Sequence, residues 1–353
     1  MTTTAADLTP SRLNDQLADH LDGAKIIDVG IDVVGTGQMA ECLRLTLGYD
    51  REESRAPRTL IAKLPSEDPN SRAAAAAVRC YEIEVNFYLQ LQPDLAIRTP
   101  RCYFASVDVE TTDFTLLLED VADARQGDQL TGCSPDEAAA AAAELPGLHA
   151  PRWGDDKLTR YDWLHRSSDD GPGFLGMLLR GLYPGFVERY ADRLSPDVLA
   201  FSERVVESLD SIDADRPKPW TVTHGDFRLD NLLFAPERGQ RVAVVDWQTA
   251  VHGPGVSDLA YFIGGSLSAA DRRAHERDLV QDYADRMKSA GVVLGWDELW
   301  KQYRRYTISG LIMAIAASMM VKRTDRGDDM FVAMAERAGR HALDLDAPQL
   351  LFA

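Results

Sequence analysis

Apolar positions along the first part of the chain come in short β-type runs: IIDVGIDVV, CLRLTLGYD, RTLIAKLPS and, later, FTLLLEDV, rich in branched and aromatic residues. Such runs predict strands, here a small, mainly antiparallel sheet. Between the third and fourth runs lies SRAAAAAVRCYEIEVNFYLQLQ, whose alanines, glutamates and leucines favour helix and which Pro93 closes, so one long helix is predicted to interrupt the sheet. After residue 134 helical patterns dominate. SPDEAAAAAAELPGLHA opens on Ser134, a cap candidate with an acidic first turn, and SPDVLAFSERVVESLDSI repeats the opening. This part is expected to be mostly helical, apart from a strand pair around VTHGD and RVAVVDWQ, with DDGPGF as a surface loop. The apolar stretch Thr307 to Val321 is shorter than the roughly eighteen residues a membrane span requires, and basic residues flank it, so a buried core helix is expected.

Composition narrows the class. A chain of 353 residues is long for one hydrophobic centre, and two lobes are the natural division, residues 1–118 and 119–353. A hydrophobic content of 45% fits a soluble globular protein. The net charge of −18 repels nucleic acid and anionic lipid, so neither is an expected partner, and an anionic substrate must be met by placed cations, metal or backbone amides. Cys42, Cys80, Cys102 and Cys133 are spread without C-x-x-C spacing, which argues against a zinc cluster or redox pair and for reduced, buried thiols. MTTTAADLTP has neither a basic n-region nor an apolar h-region, so a cytoplasmic location is expected.

The candidate chemistry sits in THGDFRLDN, residues 223–231, and in RVAVVDWQTAVHG, where a five-residue apolar run ends on Asp246 as a buried strand delivering a carboxylate would. A hairpin turning around Pro236 to Gly239 would bring Asn231 and Asp246 side by side. Two oxygen ligands together suit Mg²⁺, a hard cation that shares phosphate oxygens, with Asp226 nearby to accept a proton. An Asx-rich turn would also produce the first stretch taken alone.

H-G-D-F-R-L-D-N followed by V-V-D-W resembles the catalytic loop and metal-binding aspartate of the aminoglycoside phosphotransferase and choline kinase superfamily, relatives of protein kinases. The resemblance covers approximately residues 28–345. It implies an α+β, bilobal protein-kinase-like fold: an N-terminal nucleotide-binding lobe of antiparallel sheet with one helix, and a larger, mainly helical catalytic and substrate-binding lobe. It also implies Asp226 as catalytic base, Asn231 and Asp246 as Mg²⁺ ligands, His224 as a support of the loop, and Asp258 in GVSDLAYF as the buried aspartate that braces it. VVGTGQMAECLRL offers Gly35 and Gly37 as a phosphate cradle, although a hairpin turn suits them equally. Lys63 ends an apolar strand from which a cation reaches phosphates, with Glu84 as its partner and Glu82 as second choice. LLLEDV resembles the hinge, where the backbone of Glu119 and Val121 would meet adenine.

Substrate contacts are the least specific part. TPRCYFA, GDQL and LHAPRW look most like a bacterial branch allied to the ecdysteroid-kinase-like group. Pro146 departs from the family's uninterrupted helix and implies a kink or early end near His149. His149 would touch substrate or sit in the core. Trp163 and Trp247, with Tyr161 and His165, would line a pocket or belong to the core. The reaction implied is transfer of the ATP γ-phosphoryl group to a hydroxyl of a small, moderately apolar alcohol. The alternatives are O-phosphorylation of an aminoglycoside, favoured by an acidic cleft, and a non-catalytic nucleotide-binding protein. A protein substrate is disfavoured because GPGVSDLAY follows Asp246 so closely.

Overall fold

The computed structural model describes residues 2–35, 39–51, 55–164, 173–214, 216–235 and 241–352. Gly37, His165, the turn 236–239 and most of DDGPGF lie outside them. Among the described residues no helix is long and apolar enough to cross a membrane. The chain forms two compact units, Met1–Asp94 with Thr99–Asp123 and Asp246–Thr249, and Leu95–Arg98 with Ala124–Val245 and Ala250–Ala353.

In the first unit, α1 (Pro10–Gln16) starts at Thr9, whose hydroxyl accepts from the Arg12 amide. Then follow β1 (Ile26–Val33), β2 (Ala40–Tyr49), β3 (Thr59–Pro65), α2 (Pro69–Ala77), α3 (Cys80–Asn86), β4 (Cys102–Asp108) and β5 (Asp113–Glu119). The five strands pair antiparallel in the order β1-β2-β3-β5-β4. The division expected after residue 118 therefore falls inside β5. Cys102–Ala105 of the TPRCYFA stretch lie in β4, an edge strand. Side chains alternate across a strand, so Leu60, Ala62 and Leu64 of β3 join Leu13, Leu43 and Leu117 in the core. Lys63 points to the other face.

The predicted long helix is interrupted. Arg79 takes a left-handed φ of 56° between α2 and α3, and Phe87–Leu91 continues α3 as a π-helical turn. The two segments bury different amounts of surface: α2 buries only Ala75, whereas α3 buries Cys80, Tyr81, Ile83, Glu84 and Val85. A break lets each segment present its own face, a tertiary demand that alanine propensity does not encode.

The second unit contains β6 (Arg125–Gln126), α4 (Pro135–Ala142), α5 (Leu145–His149), α6 (Phe174–Tyr190), α7 (Pro196–Ala214), β7 (Thr221–Thr223), β8 (Leu232–Phe234), β9 (Ala243–Val244) and β10 (Val251–Gly253). Helices α8 (Val256–Ser266), α9 (Ala269–Ser289), α10 (Trp296–Tyr306), α11 (Ser309–Met320), α12 (Asp325–Asp344) and α13 (Pro348–Leu351) complete it. Ser134 caps α4 in a capping box with Glu137. Pro146 stands in the first turn of α5, so the helix ends at Ala142 and restarts, as the proline demands. The apolar stretch becomes α11, with Leu311, Ala314 and Ile315 in the main core. The expected pairing of VTHGD with RVAVVDWQ does not form. Instead β7 pairs with β10, and β8 with β9 and β6.

Candidate active site

The chemistry-bearing residues fall into two constellations, one in each unit. In the first, Lys63 projects from β3, and its Nζ donates to Glu84 Oε1 and Oε2 at 2.8 and 2.6 Å and to Asp246 Oδ1 at 3.1 Å. Glu82 is instead held by Arg79 on the surface, so Glu84 is the partner. Burial opposes the ammonium charge, but the Asp246 and Glu84 carboxylates outweigh it and hold Lys63 well above its usual pKa. Glu84 also accepts from the Trp247 amide at 3.3 Å. Asp246 has a left-handed φ of 68°, a conformation costing of order 1 kcal/mol that persists only where its surroundings dictate it. Gly35, two residues beyond β1, has φ 76°, and a Cβ there would meet nothing within 4 Å, so its backbone is bare. The Glu119 amide is taken by the Arg101 carbonyl at 2.8 Å; Val121 lies beyond the sheet.

In the second unit, the loop from His224 to Asn231 leaves β7 and re-enters as β8. Asp258, 2% exposed on α8, accepts from the His224 amide at 2.7 Å and from the Gly225 amide at 3.0 Å. Gly225 turns at φ 78°. The His224 ring accepts at Nδ1 from the Asp226 amide and donates from Nε2 to the Val245 carbonyl at 3.0 Å. Asn231 donates to the Asp226 carbonyl at 2.9 Å and to Asp226 Oδ2 at 3.1 Å, which orients its amide and turns its Oδ1 away from that carboxylate. The Val245 amide bonds the Asn231 carbonyl, so the hairpin aligns Asn231 with Val245, the residue before Asp246.

Asp226 is not the unengaged carboxylate that its loop position suggests. Tyr261 donates to Oδ1 at 2.7 Å, and Arg228 Nε donates to Oδ2 at 3.0 Å while its Nη1 reaches Asp230. Burial works against the Arg228 charge, but Asp226 and its neighbours raise its pKa above the ordinary value. Burial and the Asp226 charge push the Tyr261 phenol well up, so it remains a donor.

Three expected substrate residues are interior. His149 is fully buried, donating from Nε2 to Asp258 and accepting the Tyr283 hydroxyl at 2.9 Å. Trp247 is fully buried in a stack on Phe87, centroids 3.8 Å apart. Trp163 is 3% exposed, against Tyr161. Aromatic size won over polarity, and the rings pack. The GDQL stretch is a brace: Gln129, 1% exposed, accepts the Leu229 amide at 3.0 Å and donates to the Gly265 carbonyl at 2.8 Å. A Cβ on Gly127 would lie 2.4 Å from the Leu229 carbonyl oxygen, so only glycine fits there. The sequence reading missed Tyr261 and Arg228. Their signal was present, Arg228 inside the motif itself and Tyr261 three residues after Asp258, one helical turn on.

Residues 48–291, more than half the chain, match the APH phosphotransferase enzyme family. The chain belongs to that family. The chain is 42% identical over 59 residues to mouse acyl-CoA dehydrogenase family member 10, a match covering 17% of this chain and 5% of that protein. It thus spans a small fraction of the curated relatives it matches. A microcompartment-associated aminopropanol kinase superposes with a TM-score of 0.57 at 14% identity, covering 97% of this chain and 98% of the other. APH(2")-IIia, solved with GDP and kanamycin, gives 0.57 at 10% identity over 93% and 97%. At these identities the two structures establish a kinase-like fold, and the sheet of the first unit and the helices of the second accord with it.

Proposed function

We propose that the protein transfers the γ-phosphoryl group of ATP to a hydroxyl of a small, moderately apolar alcohol. The observation that carries the reading is a cavity of about 140 Å³ in the second unit, lined by Gly225 of the Asp226 loop, by Tyr261, and by aliphatic Leu209, Ile212, Val251 and Ile308. The carboxylates lining it are not spare: Asp258 is spent on the loop amides, and Asp213 is ion-paired with Arg216. A polycationic amino sugar would want unpaired acids, whereas an apolar alcohol matches this lining. The apolar lining is mainly aliphatic, and its rings are Tyr261 and Tyr306 rather than the expected Trp163 and Trp247.

Asp246 and Asn231 are the assigned Mg²⁺ ligands, because a carboxylate and an amide oxygen are the hard donors this cation takes and two protein ligands suffice when phosphate supplies others. Bound there, Mg²⁺ would neutralise phosphate charge. Lys63, fixed by Glu84, supplies a permanent cation for the phosphates, and the bare backbone at Gly35 admits them closely. As the acceptor oxygen bonds to the γ-phosphorus and the bond to the leaving ADP oxygen breaks, the hydroxyl proton passes to the Asp226 carboxylate.

Asp226→Asn tests this assignment. Calorimetric MgATP binding should persist while turnover falls about 10²–10⁴-fold, as expected for loss of a general base; normal turnover would remove Asp226 from the mechanism. An ATP-consumption screen decides the acceptor class, and phosphorylation of kanamycin-like amino sugars without activity on steroid-like or other apolar alcohols would refute the apolar reading.

A further inference from the structure

A carboxylate has two oxygens and about four lone-pair sites. At Asp226, Oδ2 accepts from Arg228 Nε at 3.0 Å and from Asn231 Nδ2 at 3.1 Å, which fills it. Oδ1 accepts the Tyr261 hydroxyl at 2.7 Å, and among the described residues that leaves one site open. Tyr261 is 5% exposed and lines the cavity. We propose that Tyr261 is a positioning residue that reserves this remaining lone pair of Asp226 for the acceptor hydroxyl and keeps water from taking the neighbouring one. The inference rests on the role given to Asp226 above.

The geometry of α8 supports a dedicated role. Asp258 and Tyr261 are separated by one helical turn and share a face. Asp258 grips the amides of His224 and Gly225, and Tyr261 grips the side chain of Asp226, so one helix face holds three successive residues of the loop. The ring lies close against Gly310 of α11, where an added Cβ would be 3.2 Å from its Cδ2.

Removing the hydroxyl leaves an oxygen-sized gap beside a partly buried, charged acceptor, and such gaps recruit water. That water would be hydrogen-bonded to the residue that activates hydroxyls, and water is itself a phosphoryl acceptor. Phosphoryl transfer to water consumes one ATP and one water and yields ADP, phosphate and a proton.

The experiment uses the full chain with MgATP alone and no alcohol, reading ADP release per calorimetrically counted nucleotide-binding site. Tyr261→Phe should raise hydrolysis several-fold with unchanged MgATP affinity, a gain that structural damage, which lowers turnover, does not produce. The same rise is required of Tyr261→Met, which also lacks the donor but packs differently, so misfolding of one variant does not shelter the idea. Hydrolysis unchanged or lowered in the folded variants overturns the inference. Asp226→Asn run alongside separates the two readings: if it keeps wild-type hydrolysis, the role of Asp226 itself fails. If it abolishes hydrolysis and the tyrosine variants show no gain, only the Tyr261 inference falls.

Discussion

Lys63 is 8% exposed and meets two carboxylates from distant parts of the chain, 21 and 183 residues away. Burying such a set is stabilising only while it stays complete, since removing one partner strands the other in a poor solvent. Lys63→Met should therefore cost about 3 kcal/mol in urea denaturation, and Lys63→Met combined with Glu84→Gln should recover most of it. An additive double variant would show that the two side chains are not coupled. Asp246→Ala, by contrast, removes a proposed metal ligand, so calorimetry with and without Mg²⁺ should find the Mg²⁺-dependent part of ATP binding diminished. An unchanged Mg²⁺ dependence would refute the ligand assignment.

At the scale of elements, the loop from His224 to Asn231 is short and irregular, and three of its amides are satisfied from outside rather than by a ladder. Asp258 on α8 serves His224 and Gly225, and Gln129 serves Leu229. Gln129→Ala leaves a buried amide and a buried carbonyl without that partner, which should cost about 1–3 kcal/mol. Because the loss falls on the loop, turnover should drop more than nucleotide affinity does; equal effects on both would indicate general destabilisation. Helix packing makes a separate demand at Gly339 of α12, where a Cβ would lie 2.5 Å from Val198 Cγ1 of α7. Gly339→Ala should destabilise by about 1–3 kcal/mol despite alanine's better helix propensity, as thermal or chemical unfolding can measure.

For the molecule as a whole, the charge of −18 means that ATP, the proposed phosphoryl donor and itself an anion, would have to be captured by local groups against an unfavourable field. Binding to the native state alone stabilises it, by about 2.7 kcal/mol at a hundredfold excess over Kd. MgATP should raise the melting temperature and EDTA should abolish most of the gain. A shift that survives EDTA would mean that the metal contributes little to the affinity.

Local pattern carried much of this. Four of the five sheet strands, the Ser134 cap, the α11 core helix and the restart at Pro146 were legible because each depends on near neighbours: alternation, capping chemistry, hydrophobic run length and a missing amide hydrogen. The spacing of H-G-D-x-x-x-x-N and V-V-D pointed to Asp226, Asn231 and Asp246 as the proposed site, because phosphoryl transfer requires specific side chains at fixed intervals. Where propensity and tertiary packing competed, packing decided. The break at Arg79, the pairing of β7 with β10, and the burial of His149, Trp163 and Trp247 follow from which faces met apolar surface, and no single segment encodes that. The sequence thus determined the kind of chemistry. Tertiary structure alone decided that Gln129 is a brace and that the Asp226 carboxylate is shared with Tyr261 and Arg228, because hydrogen-bond partners are chosen by distance in space and not along the chain.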